Sequence, residues 1–222
     1  MTEPDFLRTT RASYDAVAAD YAERFRGELA SKPLERALLA GFAELVRAAG
    51  NGSVADLGCG PGRVTAHLHS LGLDTFGIDL SPKMIAVARQ AHPDLPFYEG
   101  TMTSLDLPDA SLGGIVAWYS VIHIPDGRLP AVFAEFHRVL APGGHLALAF
   151  QVGEDHTHLA EAFGHPVSLD FHSRQPDRVT ELLERAGLEL RARMVREPDE
   201  DGDFPEKTQR GYLLARRPLP RP

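Results

Sequence analysis

Val54-Ala55-Asp56-Leu57-Gly58-Cys59-Gly60-Pro61-Gly62-Arg63, followed at an interval by Gly77-Ile78-Asp79-Leu80-Ser81, is the pair of stretches that decides the fold. The first reads as a buried strand and a glycine-rich turn into a helix. The second reads as a strand ending in a carboxylate, and together they make half of a nucleotide site. A dinucleotide fingerprint counted from Gly58 requires its third glycine at position 63, where this chain has Arg63. The glycines fall instead at 58, 60 and 62, with Asp56 two residues ahead of the first. Without β-carbons the backbone can pass close to a ligand and take positive φ, while Pro61 removes one amide from the turn. Such a loop suits a compact ligand better than a pyrophosphate, which needs several converging N–H groups.

Outward from this core, strand and helix patterns alternate as a parallel sheet with crossover helices requires. Residues 5–48 are expected to form a helical prelude outside the sheet. Tyr14, Val17, Ala18 and Tyr21 recur at helical spacing, and a second helix is predicted from Pro33 to Ala48, before the Gly50-Asn51-Gly52 break. Strands are expected at 53–57, 75–79, 97–99, 114–118 and 145–150. Helices are expected at 63–71, from Pro82 behind a Ser81 cap to about Ala91, and at 129–140. Ala141-Pro142-Gly143-Gly144 reads as a helix stop and turn, and residues 153–175 read as an irregular connection. A helix over 176–186 follows. Strands over 188–196 and 211–216 flank an acidic loop and are expected to pair as an antiparallel hairpin.

Composition fits one soluble α/β domain. The chain has 222 residues with 43% hydrophobic content, enough to fill one core. A net charge of −8 with dispersed basic residues argues against a nucleic-acid partner, which requires a basic stripe. Cys59 is the single cysteine, so no intrachain disulfide forms, and a reducing cytoplasm is the expected location. No long apolar segment is present, so no membrane association is expected. Met1-Thr2-Glu3-Pro4-Asp5 is acidic where a secretory leader is basic.

From Asp56 to Gly62 the chain resembles the class I S-adenosylmethionine-dependent methyltransferases, whose first motif is Asp/Glu-x-Gly-x-Gly-x-Gly. Arg138-Val139-Leu140-Ala141-Pro142-Gly143-Gly144-His145-Leu146 fits that family's turn before the fifth strand and is read as structural. The resemblance runs from about Tyr14 to Ala215. It implies a Rossmann-like, doubly wound seven-stranded sheet with an antiparallel last strand and an N-terminal helical lid. As domains it implies a single unit: lid 1–50, cofactor-binding core 51–152, substrate cap 153–175 and the remainder of the sheet 176–222.

The resemblance also implies S-adenosylmethionine as cofactor. Asp56, Gly58, Gly60 and Gly62 pack against its amino-acid end, and Asp79 holds both ribose hydroxyls, as a carboxylate's acceptor capacity allows. Leu80, Met84, Met102 and Tyr119 are expected beside it. Thr101 stands where many members carry an acid for the adenine amino group, a departure that leaves a weaker hydroxyl there. In the prelude, Tyr14-Asp15-x-x-Ala18-x-x-Tyr21-x-x-Arg24 resembles the helix that covers the cofactor. Tyr14 and Tyr21 are either cofactor contacts or a packing seam. Arg26 is preferred over Arg24 for the cofactor carboxylate.

For chemistry, His123 follows the fourth strand at the carboxyl edge, where open α/β sheets bind ligands. It is expected either to accept the acceptor's proton or to orient the acceptor. Tyr14, Gln151, His156, Phe163 and His165 are the other candidate contacts to a small-molecule methyl acceptor. His156 and His158 with Asp155 are a weak metal pattern, and no metal is expected. The reading is methyl transfer to an oxygen or nitrogen of a small organic molecule. A nicotinamide-dependent oxidoreductase and a non-catalytic S-adenosylmethionine-binding protein remain as alternatives.

Overall fold

The computed structural model describes residues 3–50 and 52–220, so Asn51 of the expected break lies outside the described residues. The chain opens with three helices, α1 (Asp5–Phe25), the single turn α2 (Glu28–Ser31) and α3 (Pro33–Ala48). Then β1 (Val54–Leu57), α4 (Arg63–Ser70), β2 (Thr75–Asp79), α5 (Pro82–Ala91), β3 (Phe97–Glu99) and β4 (Leu112–Trp118) alternate. After α6 (Leu129–Val139) come β5 (Leu140–Gln151), β6 (His156–Ala162), β7 (His165–His172), α7 (Pro176–Arg185), β8 (Glu189–Arg196) and β9 (Arg210–Arg216).

Seven strands form one sheet in the order β3-β2-β1-β4-β5-β9-β8. Neighbours from β3 to β5 pair in parallel, whereas β9 runs antiparallel to both β5 and β8. The expected sheet, its antiparallel last strand and the helical prelude are all present. Period-two side-chain alternation divides the core between two faces. Ala55, Leu57, Ile115, Ala117, Leu146 and Leu148 face one way, onto Phe133 and Phe136 of α6 and Val179 and Leu183 of α7. Val54, Val116 and Ala147 face the other, onto Leu39, Phe42 and Val46 of α3 and Leu68 of α4. Both faces are covered, so ligand access is left to the carboxyl edge of the strands.

Two expectations are corrected. Residues 153–175 are not irregular: β6 and β7 form a separate antiparallel hairpin. The stretch 141–144 is not a turn that ends the helix. Helix α6 stops at Val139 and β5 begins at Leu140, with a register shift that pairs Leu112 with Leu140 but Gly114 with His145. Gly143, at φ +84°, absorbs the extra residues of that irregularity.

The prelude is fastened across the carboxyl edge. Ser81 caps α5, its Oγ accepting from the Met84 amide at 3.1 Å. The same Oγ donates to Asp15 Oδ1 at 2.6 Å, and the Lys83 amide donates to that oxygen at 3.1 Å. A carboxylate from α1 thus sits on the positive end of α5. Farther along, Ser13 of α1 accepts from the Ser168 amide of β7 at 2.8 Å. Helix α1 is therefore held between α5 and the hairpin, over the strand ends.

Candidate active site

A cavity of about 610 Å³ opens at the carboxyl edge, roofed by α1 and the β6–β7 hairpin. Its floor is the glycine turn after β1. Gly60 has φ +53°, and a Cβ there would meet open space, so its backbone faces the cavity. Asp79 ends β2 beside it. Its Oδ2 accepts the Gly60 amide at 2.8 Å and its Oδ1 accepts the Ser81 amide at 2.8 Å, which leaves each oxygen a lone pair for a further donor. Burial pushes the Asp79 pKa up to about 6, against the opposing pull of the two amides. Asp56 is 1% exposed and accepts Thr65 Oγ1 at 2.7 Å; burial raises its pKa to about 7.

Behind β4 the chain turns sharply. Tyr119 takes φ +52°, and a 3-10 turn over Val121–His123 brings His123 under the roof. His123 Nδ1 lies 2.8 Å from the Asp170 carbonyl oxygen of β7. A carbonyl only accepts, so Nδ1 carries the proton and Nε2 is the lone-pair nitrogen. Tyr14 Oη lies 2.7 Å from that Nε2 and donates to it. Burial lowers the His123 pKa to about 4, which keeps the ring neutral, and burial pushes the Tyr14 phenol well above its ordinary value. Both side chains line the cavity.

The back wall is a buried polar cluster. Glu35, 5% exposed, accepts from Trp118 Nε1 at 2.8 Å through one oxygen. Its other oxygen accepts from Tyr119 Oη at 3.0 Å and Tyr212 Oη at 2.9 Å. Next to it Glu206 bridges Arg196 at 2.9 Å and Lys32 at 3.0 Å.

Residues 54–144 match the model of a family described as a methyltransferase domain. The chain is 36% identical over 92 residues to a demethylmenaquinone methyltransferase of Chlorobaculum parvum, covering 41% of this chain and 37% of that protein. It is 42% identical over 97 residues to a trans-aconitate 2-methyltransferase of Escherichia coli, covering 43% of this chain and 37% of that protein. The alignments thus span well under half the length of these two relatives. Along nearly the whole chain, 99% of it and 100% of the other, the structure resembles the DhpI–SAH complex, with 26% identity and a TM-score of 0.72. The chain thus matches a methyltransferase domain over residues 54–144 and has the fold of the class I S-adenosylmethionine-dependent methyltransferases.

Within this fold most of the expected residues meet at one place. Tyr14, Tyr21, Asp56, Gly58, Gly60, Asp79 and Leu80 line the cavity, as do Met84, Thr101, Met102, Tyr119, His123, Gln151 and Phe163. Thr101 Oγ1 is engaged in its own turn, 2.9 Å from Thr103 Oγ1 and accepting the Thr103 amide. The Tyr119 hydroxyl donates to Glu35 and lies 2.9 Å from the Tyr212 hydroxyl.

Four expectations fail. Gly62 does not line the cavity; its φ of +83° starts α4, and a Cβ would sit 2.7 Å from the Phe97 ring, so packing selects it. Arg26 lies beyond the end of α1, exposed and paired with Glu23. Arg24 and Arg63 line the cavity instead. His156 and His165 face outward, His156 toward Asp170 at 3.1 Å and His165 toward Asp20 at 3.1 Å. His158 also meets Asp170, at 2.8 Å, and among the described residues no group of three or more His, Cys, Asp or Glu is placed to hold a metal.

Sequence reasoning missed Glu35, Phe25 and Phe204 as wall residues. Glu35 reads as an ordinary first-turn acid of α3, and the two phenylalanines carry no spacing signal. It did quote Asp15, without seeing that this residue ties α1 to α5.

Proposed function

We propose that this chain transfers the methyl group of S-adenosylmethionine to an oxygen or nitrogen of a small organic molecule. The observation that carries the reading is Asp79: a partly buried carboxylate with one lone pair left on each oxygen, beside an open glycine turn and in the same cavity as Tyr14 and His123. A cis diol fits those two lone pairs. The glycine turn, Asp56, Tyr21 and Arg63 would flank the amino-acid end of the cofactor, and Leu80, Met84, Thr101 and Met102 its base. When bound, the cofactor supplies an electrophilic methyl group for in-line displacement.

The chain's own contribution is alignment and exclusion of water. Tyr14 donates its hydrogen bond to His123 Nε2, which leaves the phenol oxygen free to accept the O–H or N–H of the acceptor and point its lone pair at the methyl carbon. With its pKa near 4, His123 fixes Tyr14 rather than removing protons itself at neutral pH. The diverse acceptors in the names of the relatives support the broad class and leave the particular acceptor open.

Calorimetry with S-adenosylmethionine, S-adenosylhomocysteine and NADH tests the cofactor, and release of S-adenosylhomocysteine over a metabolite panel tests the reaction. Tight NADH binding without S-adenosylmethionine binding overturns the reading. Cofactor binding without turnover on any acceptor favours a non-catalytic binding protein.

A further inference from the structure

Three segments remote in sequence build the mouth of the cavity. The last turn of α1 brings Tyr21 and Phe25, the β6–β7 turn brings Phe163, and the β8–β9 loop brings Phe204. Phe25 is the hub. Its ring centroid lies 4.6 Å from Tyr21, 6.1 Å from a stacked Phe204, and 6.5 Å from Phe163 at an interplanar angle of 85°. Arg24 lies over the rings of Phe25 and Phe204, and Arg63 over those of Tyr21 and Phe25.

Phe163 is the informative member. Ala162 pairs with His165, so only Phe163 and Gly164 join the two strands, with φ of +54° and +77°. Two left-handed central residues define a type I′ turn, whose first position favours Asn, Asp or Gly. A bulky residue there is strained. Burial does not offset the strain, because Phe163 remains 44% exposed. A large ring held in a costly conformation at the rim of a cavity is explained by what it touches when the cavity is filled.

Deeper in the same cavity, Gln151 Oε1 is buried with no hydrogen-bond partner. A buried carbonyl oxygen calls for a donor.

We propose that Phe25, Phe163 and Phe204 clamp the body of the methyl acceptor, and that the acceptor is a planar aromatic molecule carrying an O–H or N–H, a phenol or an aryl amine. This rests on the methyltransferase reading. The stacked and perpendicular rings offer a guest ring both a face and an edge, an attraction beyond area burial that a saturated ring does not receive. The donor substituent then points inward, toward Gln151 Oε1 and the Tyr14 hydroxyl.

The test uses protein saturated with S-adenosylhomocysteine, titrated by calorimetry with 2-naphthol and with its saturated counterpart, decahydro-2-naphthol. The aromatic alcohol is expected to bind about 3- to 10-fold tighter, the discrimination that ring pairing supplies. Phe163→Asn is expected to remove most of that advantage while leaving S-adenosylhomocysteine affinity unchanged and the melting temperature equal or higher, since Asn suits the turn. Phe204→Leu, which keeps an apolar loop anchor, is expected to shift naphthol binding in the same direction. Absent naphthol binding, equal binding of the two alcohols, or an unaltered naphthol affinity in Phe163→Asn overturns the clamp while cofactor binding still stands. Failure of S-adenosylhomocysteine to bind overturns the underlying reading, and the acceptor site with it.

Discussion

The structure joins Tyr14 to His123, the histidine that sequence alone offered either as proton acceptor or as orienter of the methyl acceptor. Because Nδ1 donates to the Asp170 carbonyl and Nε2 accepts from Tyr14, the imidazole has no free position for substrate. Tyr14→Phe is expected to lower the single-turnover methyl-transfer rate by roughly 2- to 10-fold, the worth of one neutral hydrogen bond. His123 should contribute no ionisation near pH 7 to the rate, since it is already neutral well below it. A loss of about 10²–10⁴ in His123→Ala, with an ionisation near neutrality, would restore general-base chemistry. At Asp79 the sign of the pH effect follows from which form accepts hydrogen bonds. In the proposed complex the carboxylate accepts from the diol, so cofactor affinity should weaken as pH falls through about 6, and S-adenosylhomocysteine should raise the melting temperature more at pH 8 than at pH 5.5. Asp79→Ala should cost about 1.5–3 kcal/mol of cofactor binding by calorimetry. Of the two candidate arginines, Arg24 and not Arg26 lines the cavity. Two positions on a helix are about 200° of rotation apart, and α1 ends at Phe25. Spacing from Tyr14 and Tyr21 could have separated them.

The elements differ in how plainly their sequences announce them. The buried parallel strand β4 is an unbroken apolar run, β1 is broken only by Asp56, and α5 opens on Ser-Pro, a cap and a first-turn proline. These were readable within a residue or two. The β6–β7 hairpin was not, for two physical reasons. Strand β6 is exposed along almost its whole length, so no apolar alternation marks it, and its turn is Phe-Gly where Asn-Gly or Asp-Gly would have signalled a hairpin. The candidate site inherits the same division: floor residues fixed by the glycine turn and β2 were legible, whereas rim residues delivered by the hairpin and the β8–β9 loop were only partly so. At this scale the Asp15 tie is the point to break. Asp15→Ala removes the acceptor for Ser81 Oγ and the Lys83 amide. Faster amide exchange across residues 5–25 and weaker cofactor binding are expected, with the sheet's protection unchanged.

Across the whole molecule, the Lys32–Glu206–Arg196 cluster joins the N-terminal helices to the last two strands, and with Glu35 it holds the back wall. Burial would raise the Glu206 pKa, but Arg196, the Asp199 amide and Lys32 outweigh it and hold the carboxyl at about 2. A carboxylate depressed on folding contributes stability above its ordinary pKa, near 4.5, and that contribution is lost as pH falls from there toward 2. Glu206→Gln removes one of the two carboxylates that Lys32 and Arg196 share, the other being Asp199. It is expected to cost about 1–3 kcal/mol of unfolding free energy and to flatten the acid limb of a denaturation series between those pH values. The seating of α1 between α5 and β7 also has a consequence for biosynthesis. Its apolar stripe, Leu7, Val17 and Ala18, is translated well before β7, the surface that covers part of it. At about 5–20 residues per second the delay is roughly 7–30 s. Throughout that interval the nascent chain carries an unroofed amphipathic helix, a target for chaperones, and a ribosome stalled before Phe171 would leave the cofactor floor assembled with no cover to close over it.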